Sequence, residues 1–590
     1  MIRPIQAITT VLILVLCQDV DSAALIQRQD PPDTVINLQG LGLIRGGLGQ
    51  TARTNQTIIQ FYNIPYAEAP IGTRRFKAPV KIAAWNEVRD VSEPGKECPQ
   101  PVEGMNQDDE DCLSLSVFTK NTTGNYSVMV YIHGGSFYLG AAVQHPPDYL
   151  LERDVVLVVI QYRLGPLGFL STLSDVIPGN AGMLDMIMAL EWVQDHIADF
   201  GGNPDKVTVF GQSAGAGAIS ALLYSPLVSQ RLFNQVILQS GGSLSTWAVD
   251  PNPVTNAIDI AKYAGCNENL ALVQIEQCLL SVETSKLINA LPLHAANQYA
   301  TYGMENIGGC GLVIGGPSEF LVRKPMEYVQ RGEVRRDIRM MGGVTKQDGS
   351  FIVNNIYDAL VASKLINDTK FLQYDLLDMI NRFAGLDDVS GALAAFEIES
   401  LFDADQLKSG NFTQMVDGLI DVAGAIVIKG PLFRDIQTNA RYSEKETYLY
   451  SFDYAGEHTR FGYGANTSHY PYKGGIHHSN DNIYLFPFPD FATNLNAADT
   501  RMSEIMVDLW TSFAIDGVPK SSGVPDWKPV DSVVGPYMHI NSPAMMGQNF
   551  YREFSATATK TKSSAFRVQG GSVISVLLVS VVVAVVSQWH

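Results

Sequence analysis

Four short, nearly continuous apolar runs leave this chain few ways to fold: Val128 to Ile132, Val155 to Ile160, Val207 to Phe210 and Val236 to Leu238. Runs without an alternating polar face suit strands buried on both sides, as in a parallel sheet covered by helices. Between the second and third runs, Met183, Met186, Ile187, Leu190, Val193 and Ile197 recur at helical spacing within Gly182 to Phe200. Strand alternating with helix predicts an α/β architecture. There is no internal repeat, no long low-complexity linker and no compositional break between about residues 30 and 555, so one large domain is the simplest organisation. With 590 residues, 46% of them hydrophobic and 17% charged, the chain has ample material for its core. The formal net charge of -19 repels phosphates at long range and argues against a nucleic-acid partner.

Both ends read as processing signals. Met1-Ile2-Arg3 precedes an apolar run from Ile8 to Cys17 and the small residues Ser22-Ala23-Ala24, the pattern of a secretory signal peptide over residues 1–23. Val573 to Val586 is apolar but as a helix would span only about 21 Å, short of a ~30 Å hydrocarbon core. No Lys or Arg follows it, and Ser563-Ser564-Ala565 lie one short polar spacer upstream. Residues 563–590 therefore read as a glycolipid-anchor (GPI) signal that is removed, placing the protein on the outer leaflet of the plasma membrane; a short membrane helix, or plain secretion, is the alternative. Export makes the cysteines legible. Cys98/Cys112 and Cys266/Cys278 are close pairs suited to local disulfides, and Cys310 is left over as a buried free thiol, with an intermolecular bridge the alternative. Six sequons, at Asn55, Asn121, Asn125, Asn367, Asn411 and Asn466, agree with an exterior location.

The chemistry centres on Lys206 to Ser220, KVTVFGQSAGAGAIS, where strand-forming residues run into a helix of small ones. Gly211-Gln212-Ser213-Ala214-Gly215 sits between them as a G-x-S-x-G turn. Crowding at such a turn leaves no room for side chains two positions either side of the serine, and the helix that follows aims its first amides at the reaction centre. Upstream, YIHGGSFYLG (Tyr131 to Gly140) ends a strand in glycines. Backbone N–H groups of Gly135, Ser136 and Ala214 are candidates to hold a developing oxyanion. A serine nucleophile needs a histidine base oriented by a carboxylate. GGIHHSNDNIYLF offers His477 and His478 in a loop before a strand, and MMGGVTKQDGSF presents Asp348 after a strand. The order Ser213, Asp348, His478 suits an α/β-hydrolase, although spacing alone selects neither the acid nor the histidine.

Taken together, the motifs resemble the type-B carboxylesterase/cholinesterase family. FYNIPYAEAPIGTRRFKAP, DEDCLSLSVF, QYRLGPLGFLS, GNAGMLDMIMALEWVQDHIADFGGNPDKVTVFGQSAGA and LWTSFAIDGVP carry the likeness across nearly the whole mature chain. The resemblance implies an α/β-hydrolase fold, a large mixed, mostly parallel sheet flanked by helices, as a single catalytic domain over residues 24–562. It also implies Ser213 as nucleophile, Asp348 as acid where many members carry Glu, and His478 as base, with His477 the fallback. Gly135, Ser136 and Ala214 become the oxyanion donors, and Ser240 in LQSGG and Gln212 the supporting residues. Arg75 with Glu110 becomes a structural ion pair, and the disulfides Cys98–Cys112 and Cys266–Cys278.

The GQSAG form resembles that of insect juvenile hormone esterases, although Met186 and Asp348 stand where those enzymes usually have Gln and Glu. Cholinesterases hold a quaternary ammonium on an indole in the first disulfide loop; here that loop, PQPVEGMNQDDED, has no aromatic residue. Gln212 further removes the negative charge that cholinesterases carry before the serine. The expected activity is hydrolysis of small-molecule carboxylic esters of uncharged, hydrophobic type, with no metal and no cofactor. The alternative is a cell-surface adhesion or receptor protein of the same fold with weak or no catalysis. Oligomeric state is not legible.

Overall fold

A computed structural model describes residues 34–302, 311–376, 404–461, 469–488, 494–531 and 534–553. The segments read above as a signal peptide and an anchor signal, with Cys310 and Asn466, lie outside the described residues. Among those described, no helix is long and apolar enough to cross a membrane.

The core element is a mixed sheet of eleven strands. In chain order they are β1 (Gly47–Gln50), β2 (Thr57–Pro65), β3 (Ser114–Thr119), β4 (Tyr126–Ile132), β5 (Val155–Ile160), β6 (Gly202–Gln212), β7 (Gln235–Gln239), β8 (Arg339–Thr345), β9 (Thr447–Phe452), β10 (Tyr537–Ile540) and β11 (Met545–Gly547). Their spatial order is β1-β2-β3-β5-β4-β6-β7-β8-β9-β10-β11. Pairing is parallel from β5 through β10 and antiparallel at both margins. A separate three-stranded sheet joins Val35–Leu38, Gly42–Arg45 and Arg89–Asp90.

The four apolar runs all fall in the parallel centre. Burial on both faces is visible residue by residue: Val128, Val130 and Ile132 of β4 enter one hydrophobic core, while Met129 and Tyr131 enter the other. Helices α1 (Ala181–His196) and α2 (Ala214–Tyr224) cover the first face, joined by α3 (Ser350–Ala362), α4 (Phe412–Gly424) and α5 (Gly430–Tyr442). Helix α6 (Ala497–Asp516) covers the second with Met506, Trp510 and Phe513.

Register brings the carboxyl ends of the central strands to one edge. Ile132 lies opposite Gly211, Gly211 opposite Leu238, and Leu238 opposite Gly342. In an open parallel sheet this edge is where ligands bind, because the loops leaving adjacent strands diverge there.

Disulfides join Cys98 to Cys112 and Cys266 to Cys278. The buried Arg75 guanidinium links these two regions. Its Nε donates to Glu110 Oε2 at 3.1 Å and Nη2 donates to Glu110 Oε1, while Nη1 reaches the carbonyls of Leu279 (3.1 Å) and Val282 (2.7 Å). Truncating one side of a buried pair strands the other charge. Arg75→Ala should therefore cost about 3–5 kcal/mol, measured as the fall in unfolding free energy by denaturant titration. A second buried pair, Arg163 with Asp185 (Nε–Oδ2 2.8 Å, Nη2–Oδ1 2.6 Å), fixes the loop after β5 to α1 and was not singled out by sequence. The sequons at Asn55, Asn121, Asn125, Asn367 and Asn411 are exposed.

Candidate active site

The turn from β6 into α2 explains its own composition. A Cβ on Gly215 would lie 2.0 Å from the Ile132 carbonyl oxygen, and one on Gly211 would lie 2.5 Å from the same atom. Only glycine fits at either position. Ser213 between them takes φ 58°, ψ −125°, a conformation L residues adopt only when their surroundings enforce it. Its N–H is held by the Gln239 carbonyl at 2.8 Å, and Gly217 N–H caps its carbonyl at 2.9 Å. The side chain is thereby lifted, half-exposed, at the carboxyl edge of the sheet.

The loop after β4 wraps the same point. Gly134 abuts Ser213, since a Cβ there would lie 3.0 Å from the serine Cβ and 2.5 Å from the Gln212 carbonyl oxygen. Gly135 (φ 112°) and Ser136 (φ 54°) continue the bend, which Tyr138 and Leu139 close with N–H bonds back to the Gly135 carbonyl at 3.0 and 2.9 Å. Gln100 clamps the far end: its Oε1 accepts from Gly140 N–H (3.0 Å) and its Nε2 donates to the Gly140 carbonyl (3.1 Å). Among the described residues, the N–H groups of Gly135, Ser136 and Ala214 have no hydrogen-bond acceptor.

Asp348 leaves the end of β8 and is fully buried. Its Oδ1 accepts from His478 Nδ1 at 2.5 Å, and its Oδ2 accepts from Ser240 Oγ at 2.7 Å and Thr345 N–H at 3.0 Å. The short Asp side chain thus reaches the imidazole with both oxygens occupied. Phe351, on α3, stacks on His478 at 4.4 Å between ring centroids and fixes the plane of the imidazole. His477 turns the other way: its Nδ1 meets Ser350 Oγ at 2.5 Å, and burial pushes it well below the ordinary imidazole range, so it is neutral. The structure therefore brings Asp348 to His478 and not to His477.

The strand expected after this pair is instead a 3₁₀ turn, Asn480–Tyr484. Its polar side chains point inward. Asp481 Oδ2 accepts from Gln239 Nε2 (3.0 Å) and Tyr450 Oη (3.0 Å), and Asn482 Nδ2 donates to Tyr131 Oη (2.8 Å). These bonds satisfy a polar segment in the core where a strand ladder would otherwise be needed.

Gln212 occupies a position the motif alone does not disclose. With Nδ1–H committed to Asp348, His478 Nε2 is an acceptor, and Gln212 Nε2 lies 3.0 Å from it. In this arrangement the carboxamide, rather than Ser213 Oγ, holds the imidazole.

The arrangement combines a serine on an enforced turn, a carboxylate–imidazole pair at the same sheet edge and three backbone donors without acceptors. It is the equipment for nucleophilic acyl transfer. The profile of the Carboxylesterase family matches residues 32–558. The chain is 32% identical to glutactin of Drosophila melanogaster over 87% of its own length, and spans about half (50%) of glutactin's length. It is 33% identical to juvenile hormone esterase of Tribolium castaneum, with 80% of this chain and 82% of that enzyme aligned. It is 28% identical to carboxylesterase 1F of Mus musculus, with 85% and 89% aligned. Family match, sheet order and turn chemistry agree: the chain belongs to the carboxylesterase family, serine ester hydrolases built on the α/β-hydrolase fold.

Proposed function

We propose that this chain hydrolyses carboxylic esters of uncharged, hydrophobic type through Ser213, His478 and Asp348. The observation that carries the reading is the buried 2.5 Å Asp348–His478 bond at the sheet edge where the β6 turn presents Ser213. For attack, Ser213 Oγ takes the place of Gln212 Nε2 at His478 Nε2 and transfers its proton there as it adds to the ester carbonyl. Asp348 holds the imidazolium that results, and the N–H groups of Gly135, Ser136 and Ala214 receive the oxyanion. The imidazolium returns its proton to the leaving alcohol. Water, deprotonated by the same nitrogen, then releases the acid from Ser213.

Three features support an uncharged substrate: Gln212 in place of an acid, the Cys98–Cys112 loop without an aromatic ring, and Gln100 from that loop engaged with Gly140 rather than facing a ligand. The test is a panel of p-nitrophenyl, aliphatic and choline esters on secreted protein. Uncharged acyl esters should be hydrolysed with kcat/KM at least about 100-fold above the choline esters, and the reverse order would overturn the assignment. Protein that folds and hydrolyses nothing would instead be an adhesion or receptor module. We place the protein on the cell surface through a glycolipid anchor. Release from cells by a phosphatidylinositol-specific phospholipase is the expected result, and retention would favour a membrane helix.

A further inference from the structure

Helices α4 and α5 are one continuous rod interrupted by a π-helical turn, Ala425–Lys429, closed by the Gly430 N–H bond to the Ala425 carbonyl. The cause is local. Pro431 has no N–H to give the Val427 carbonyl four residues back, so the α ladder cannot continue and the rod takes up an extra residue. Two sets of contacts lead from this turn toward the active centre.

The Val427 carbonyl, deprived of its α-helical donor, accepts from Ser245 Oγ (3.1 Å) and Trp247 Nε1 (3.0 Å). That indole packs beside Gly217 on α2, where an added Cβ would lie 3.2 Å from it, and lies 6.0 Å from the ring of Phe137 in the loop after β4. At the other end of the turn, Lys429 is only 3% exposed, and its Nζ donates at 2.7 Å to the Lys346 carbonyl, two residues before Asp348. The acid loop also lies directly on the rod: a Cβ at Gly349 would lie 2.1 Å from the Ile420 carbonyl oxygen and 2.4 Å from Gly424 N. Burial works against the ammonium of Lys429, and the carboxylates of Asp421, Asp348 and Asp453 work in its favour, with Lys346 opposing. A buried cation would be costly as filler; here its hydrogen bond ends on the loop that carries the acid.

We infer that the π turn made by Pro431 is a bracket for the active centre, and that Lys429 is a positioning residue that fixes Asp348 through the Lys346 carbonyl. The inference rests on the triad reading above. Lys429 acts by holding the acid loop, so that Asp348 can satisfy His478, Ser240 and Thr345 at once.

The test uses the full-length protein. Because Lys429→Met removes a cation whose charge interacts with the buried Asp421 carboxylate, the informative variant is the charge-balanced pair K429M/D421N, compared with K429Q/D421N, which keeps a donor for the Lys346 carbonyl. For K429M/D421N protein that is folded by circular dichroism, kcat should fall about 10-fold or more with KM changed less than about threefold, and the rate of fluorophosphonate labelling should fall in parallel. K429Q/D421N should recover most of that loss at a similar thermal midpoint. A folded K429M/D421N with wild-type kcat, or equal losses in both variants, would overturn the positioning role while leaving the triad standing. Wild-type protein that neither labels nor hydrolyses esters would remove the triad reading, and this inference with it.

Discussion

Replacing Ser213 by alanine should reduce ester hydrolysis by about 10⁴-fold or more, with little change in stability. The size follows from the division of labour: without Oγ no acyl-enzyme forms, and only the oxyanion donors and substrate binding remain to assist water. The small effect on stability follows from the geometry. Ser213 is half-exposed, and its backbone, at φ 58° and ψ −125°, is held by Gln239 and Gly217 through main-chain bonds that alanine retains. Steady-state kinetics and a thermal melt on the same preparation check both halves. Activity above about a tenth of wild type would point to a different nucleophile.

The adjacent histidines should separate sharply. His478→Ala removes the acceptor of the serine proton and leaves Asp348 Oδ1 without its 2.5 Å partner, so kcat should fall by about 10³- to 10⁴-fold. His477→Ala leaves the Asp348–His478 bond untouched and removes the partner of Ser350 Oγ in a buried site. Its cost should be chiefly stability, about 1–3 kcal/mol, with kcat of the folded protein within about tenfold of wild type. Full activity in His478→Ala would contradict the assignment.

The sheet and the serine turn were legible because local physics determines them. A run such as Val155 to Ile160 has no polar face to offer solvent, and it lies fully buried in β5. Gly211 and Gly215 both abut the Ile132 carbonyl, so the glycines announce the turn on their own. The pairing of Asp348 with His478 was not legible locally. Asp348 and His478 are separated by 130 residues, and only the family likeness selected them from the other acids and histidines. The 3₁₀ turn at Asn480–Tyr484 defeated the expectation of a strand because its buried side chains are paid in hydrogen bonds from Gln239, Tyr450 and Tyr131, partners far away in sequence. Lys429 escaped notice for a similar reason. A lysine in an apolar helix reads as a solvated edge, whereas Lys429 is buried with its Nζ on the Lys346 carbonyl. In the sequence Gln212 signals only the charge it lacks; its contact with His478 Nε2 exists only in the assembled site.

Whether Ser213 is the nucleophile and His478 its base is read by fluorophosphonate labelling, with the adduct located by peptide mass spectrometry. Wild-type protein should carry one phosphonyl group on Ser213, and labelling should slow by about 10³-fold in His478→Ala. Folded, secreted protein that stays unlabelled, or that carries the group on another residue, would contradict that assignment.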